Sequence, residues 1–65
     1  MKTLSIIIPL YNKEKGISNT LNLIEKKCSE INISYEILII ENESTDNSFN
    51  IAKNYIKNKK NVSLF

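Results

Sequence analysis

The stretch YEILIIENESTDNS, residues 35–48, drives a short apolar run into Glu41, Asn42 and Glu43 and then into a cluster of small hydroxylated and acidic residues. The run from Tyr35 to Ile40 has the length and composition of a buried strand. The polar cluster behind it admits two readings, a helix cap following a strand or a ligand site at the strand's carboxyl end.

Two further runs flank this one. LSIII, residues 4–8, is a continuous β-branched stretch of the kind expected for a parallel strand covered on both faces, and Pro9 is expected to end it. NVSLF, residues 61–65, begins a third strand. Between the first two, Ile17, Leu21, Ile24, Cys28 and Ile31 recur at steps of four, three, four and three, which is one face of an α-helix. Asn12 is the expected N-cap of that helix, Glu14 in its first turn suits the dipole, and Gly16 is its weak point. Phe49, Ala52, Tyr55 and Ile56 mark a second helix, with Ser44, Thr45 and Asp46 as its start signal and the lysines of KNKKN at its close.

The order is β-α-β-α-β, with helices covering a sheet. Strands are expected at about residues 3–8, 36–41 and 61–65, and helices near 13–31 and 46–58. Helical crossovers of this length imply parallel pairing, in spatial order 3-2-1. PLYN after the first strand and ENES after the second then fall together at the carboxyl ends of the strands, where sheets of this kind bind ligands.

Composition narrows the chemistry. The chain has 65 residues, 42% hydrophobic and 25% charged, which suits one small soluble core. Net charge is +2, the lysines are interleaved with acids, and arginine is absent, so they read as solvated helix faces and no nucleic-acid partner is expected. The single Cys28 lies on the apolar helical stripe and reads as a core thiol in a reducing compartment. No run approaches the roughly 20 apolar residues of a membrane span. The N-x-S triplets at Asn32, Asn42 and Asn61 read as chance in so asparagine-rich a sequence. Lack of histidine excludes a hydrolase triad and, with one cysteine, a zinc site. With one glycine there is no dinucleotide fingerprint and no P-loop. Glu41, Glu43 and Asp46 have the oxygen ligands of a magnesium or manganese site, but that spacing is common in turns.

SIIIPLYN, a helix, then YEILIIENESTDNS and a second helix resemble the start of the family 2 glycosyltransferases, whose pattern is close to S-I-I-I-P-x-Y-N-E-E followed by Y-E-I-I-V-V-D-D-G-S-T-D. The resemblance covers nearly the whole chain. It implies the Rossmann-like part of a GT-A fold and a hexosyltransferase-like activity in polysaccharide or glycolipid synthesis, in the cytoplasm or at the inner membrane face. The implied donor is a nucleotide-diphosphate sugar, commonly of uridine, and the implied acceptor a saccharide or lipid. A divalent metal, magnesium or manganese, is implied on a D-x-D motif outside this chain.

Carried over by position, Pro9 and Tyr11 line the nucleobase pocket, Glu41 and Asn42 occupy the two aspartate positions, and Ser44, Thr45 and Asp46 match the turn opening the second helix. Pro9, Tyr11, Asn12, Glu41, Asn42 and Ser44 are thus the expected donor-nucleotide residues, with no catalytic or metal-binding residue in the chain. Two departures stand out: Asn42 replaces an acid, and Glu43 replaces the glycine of the turn. The chain is expected to be the amino-terminal part of an enzyme, inactive alone and prone to self-association through the open apolar edge of its first strand. A non-catalytic nucleotide-binding or interaction module on the same frame is the alternative.

Overall fold

The structure, a computed structural model, describes residues 3–65, with Thr3 described by its backbone alone. Three strands, β1 (Thr3–Leu10), β2 (Ser34–Glu41) and β3 (Val62–Leu64), alternate with helices α1 (Ile17–Glu30) and α2 (Ser48–Ile56). All pairing is parallel in the order β1-β2-β3, the expected order read from the other edge. The α/β frame is therefore the one the sequence implies.

Register decides which side chains are buried. Ile6, Ile8 and Leu10 pair with Ile37, Ile39 and Glu41, and Ile37 pairs in turn with Val62. Because successive side chains alternate between faces, these residues share one face of the sheet. There they meet Ile17 and Leu21 of α1 and Ala52 of α2 in a single core, with Leu10, Leu21, Ile37, Ile39 and Ala52 wholly buried. Truncating one such leucine to alanine costs about 2–5 kcal/mol. That is a large share of the roughly 3–10 kcal/mol available to a chain of this size.

The opposite face corrects an expectation. LSIII reads as covered on both sides, yet Ile7 is 66% exposed and Ile40 41% exposed. Both crossovers step across the sheet in the same direction, so both helices pack on the same face. The strand also does not end at Pro9, which pairs with Ile40 and is followed by Leu10. Leu10 turns its carbonyl toward β2, accepting from Asn42 N–H at 2.9 Å. Its neighbour Pro9 therefore presents its missing N–H to the open edge, where no ladder bond is lost.

Helix α1 begins at Ile17 rather than near residue 13. The amides of Gly16 and Ile17 close one turn on Lys13 O, but Gly16 at φ −125° leaves the helical well and separates that turn from the helix. Asn12 is consequently not its N-cap, and Glu14 lies outside its first turn. The other end is well made. Asn32 takes φ 54°, its N–H bonds Ser29 O, and Ile33 N–H reaches back to Cys28 O, the reciprocal pair of a Schellman motif. Cys28 itself is buried, as its place on the stripe implies.

At the amino-terminal ends of the strands, Glu25 of α1 gathers three partners. Tyr35 Oη donates to it at 2.9 Å, Tyr55 Oη donates to its other oxygen, and Lys59 Nζ lies 3.2 Å away. Lys59 also sits 5.1 Å over the Tyr55 ring. Burial raises the Glu25 pKa, but the hydrogen bonds from Tyr55, Tyr35 and Lys59 outweigh it and leave the carboxyl below its ordinary value. A folded-state value below the unfolded one stabilises the fold at neutral pH, and this contribution fades as the pH falls through the lowered value. Glu25→Gln should remove that step from the acid limb of a stability-against-pH curve, and Glu25→Ala should cost about 1–3 kcal/mol in urea denaturation at pH 7.

Candidate functional site

The carboxyl ends of β1 and β2 lie side by side, with Leu10 level with Glu41 and Asn42 N–H bonded to Leu10 O. Two loops leave them, residues 11–16 and 42–47. The first loop has three successive amides with no strand to pair with, and side chains of the second loop and the start of α2 accept all three. Asn12 N–H donates to Ser44 Oγ at 3.1 Å, Lys13 N–H to Ser48 Oγ at 2.5 Å, and Glu14 N–H to Asp46 Oδ2 at 3.1 Å. In return, Asn12 Oδ1 accepts from Thr45 N–H at 2.7 Å and from Asp46 N–H at 3.3 Å. These bonds bridge 32 to 35 residues of sequence and clasp the two loops into one unit.

The hydroxyl and acidic residues of STDNS therefore do more than cap α2. Asp46 Oδ1 accepts from Ser48 N–H at 2.9 Å and from the Ser48 hydroxyl, the local turn that aspartate favours before a helix. Ser44 and Thr45 serve the other loop instead, and α2 starts at Ser48 rather than residue 46, with no side-chain cap from Asn47. Burial raises the Asp46 pKa, but bonds from the Ser48 hydroxyl and from the Ser48 and Glu14 amides hold it below the ordinary value. Ser48 is wholly buried. Nothing in its type announces this: a serine at a helix start reads as a cap.

Glu41 and Glu43 complete the second loop. Both carboxylate oxygens of Glu41 lie 3.1 Å from Ser44 N, which donates to them, so this side chain is turned back on its own loop. Glu43 takes φ 57°, a left-handed conformation that a glycine in its place would adopt freely. Of the six sequence-derived site residues, Pro9, Tyr11, Asn12 and Asn42 are exposed at the strand ends. Asn12, Glu41 and Ser44 are brought to the same place but are engaged in holding it together. Two shallow cavities flank them, one of about 310 Å³ beside Asn12, Lys13, Glu14, Lys15, Gly16 and Asp46, the other of about 340 Å³ beside Ile8, Pro9, Lys13 and Ile17. Tyr11 and Asn42 line neither.

Among the described residues no group of three or more acidic, histidine or cysteine side chains is placed to hold a metal ion. Glu41 turns its carboxylate oxygens to the Ser44 amide, and Asp46 turns its own to the Ser48 and Glu14 amides. No helix among the described residues is long and apolar enough to cross a membrane. Glu43→Gly should relieve the left-handed cost, offset in part by glycine's greater freedom when unfolded, for a net gain of about 0.5–1 kcal/mol in denaturation midpoint analysis. Glu43→Ala, which keeps a Cβ, should give no such gain.

No solved structure matches the chain. Among characterised proteins, it is 34% identical over 44 residues to the undecaprenyl-phosphate 4-deoxy-4-formamido-L-arabinose transferase of Proteus mirabilis (strain HI4320). That stretch covers 68% of this chain and 14% of the relative, so the chain spans a small part of that protein's length. Residues 5–65 match the glycosyl transferase family 2, through both strand-end motifs and both helices. The chain belongs to that family of glycosyltransferases.

Proposed function

We propose that this chain forms the nucleotide-binding half of a sugar-donor site, with the base held between the Tyr11 ring and Asn42. One observation carries the reading. Tyr11 and Asn42 stand exposed one residue beyond the last paired positions of adjacent parallel strands, beside the hydrogen-bonded loops. An aromatic ring offers a stacking surface of about 1–3 kcal/mol per base. A neighbouring carboxamide offers the directional contact: its oxygen accepts from a ring N–H, as uracil presents, while its NH₂ suits a base carbonyl. Family membership supports a nucleotide-diphosphate sugar as the ligand, with a UDP-sugar as the first candidate.

The relative's name couples undecaprenyl phosphate with a sugar, which supports a lipid acceptor and work at the inner membrane face. This segment would bind nucleotide without transferring sugar, since Glu41 and Asp46 are committed to loop amides and the family resemblance carries no catalytic residue onto these positions.

Lacking strong phosphate contacts, the site should bind UDP weakly, with Kd near 1 mM, or about −4 kcal/mol. In an amide-resolved NMR titration, shifts should cluster at residues 10–12 and 41–44 and diminish in Asn42→Ala. Asn42→Asp should retain uridine binding if the carboxamide oxygen is the acceptor. Shifts confined to the lysines at the helix ends would mean that phosphate is merely finding positive charge, and the reading would fail.

A further inference from the structure

We propose that Asn12 is a positioning residue of the donor site: its carboxamide fixes the second loop against the first and does not itself contact the nucleotide. The inference rests on the donor-site reading above, but its structural half can be tested without a ligand.

Both features of Asn12 serve the link. Its backbone lies at φ 49°, where asparagine is among the most tolerant residues after glycine. That conformation aims Oδ1 at the amides of Thr45 and Asp46, 2.7 and 3.3 Å away, with Thr45 Oγ1 also at 3.3 Å. A carbonyl oxygen has two lone pairs, and two amides occupy them, so none remains for a base N–H. Its own N–H is used on Ser44 Oγ. Tyr11 immediately precedes Asn12, and Asn42 lies two residues before Ser44. Asn42 N–H is held directly to Leu10 O, and Asn12 adds a second tie between the loops that carry the stacking ring and the reading carboxamide. A residue that only capped α1 would make none of these contacts.

Three chains separate the possibilities. Asn12→Gly keeps the left-handed backbone and removes the carboxamide, whereas Asn12→Asp keeps an acceptor for the same two amides. Without ligand, the Thr45 and Asp46 amides should exchange with solvent about tenfold faster in Asn12→Gly. In Asn12→Asp they should stay within about threefold of the unaltered chain. UDP affinity, read from the Tyr11 and Asn42 amide shifts, should follow the same order, about tenfold weaker in Asn12→Gly and recovered in Asn12→Asp. Unchanged exchange in Asn12→Gly would overturn the link itself. Faster exchange with unchanged UDP affinity would overturn the positioning role. Lost UDP shifts in Asn12→Asp despite protected amides would make the NH₂ group a nucleotide contact and also overturn it. No UDP shifts in the unaltered chain would sink the donor-site reading and the positioning role with it, leaving the exchange result to judge the link alone.

Discussion

Three backbone amides, those of Asn12, Lys13 and Glu14, leave the end of β1 with no strand to receive them, and the site is organised around satisfying them. Each hydrogen bond that takes such an amide from water into the fold contributes about 0.5–1.5 kcal/mol. The chain answers with side chains from a segment more than thirty residues away: Ser44, Ser48 and Asp46. Because Ser48 is wholly buried and also bonded to Asp46, its hydroxyl cannot simply turn to solvent. The parallel sheet brings the two loops together, and these bonds hold them in one arrangement.

Several otherwise separate features depend on this clasp. The left-handed backbones of Asn12 and Glu43 persist because the loops around them are over-determined by hydrogen bonds. Tyr11 and Asn42 can stand exposed because their neighbours are engaged. At the other end of the layer, Glu25 with Tyr35, Tyr55 and Lys59 ties α1, β2, α2 and the approach to β3 together. A core this small is thus reinforced at both ends of the strands by side-chain hydrogen bonds, which matters where single bonds are a sizeable fraction of total stability.

The frame was legible because apolar periodicity is a local signal: the runs at Leu4 to Ile8 and Tyr35 to Ile40 and the stripe from Ile17 to Cys28 each declare their element without reference to the others. The one-sided sheet was not legible, since a continuous β-branched run reads the same whether one face or two is covered. The position of the site followed from topology, and the strand-end motifs named its family. What the individual residues bond there was not legible, for a physical reason. Serine, threonine, aspartate and asparagine bond any nearby amide, and sequence shows only the amides near in sequence, so Asn12 and Ser44 to Asp46 read as caps for the helices that follow them. That Glu41 turns back on the Ser44 N–H three positions away was not read from the sequence. The tyrosines around Glu25 read as apolar markers because their hydroxyl partner comes from another helix.

The central claim is that the polar segment after β2 exists to hold the loop after β1, beyond starting α2. Amide hydrogen exchange in Ser48→Ala tests it most directly, because this substitution removes the acceptor of Lys13 N–H and leaves every backbone bond of α2 in place. The account predicts faster exchange at Lys13 and its neighbours Asn12 and Glu14, with the interior amides of α2 as protected as before. Loss of protection along α2 with the Lys13 amide unchanged would show that Ser48 serves its own helix, and would contradict it.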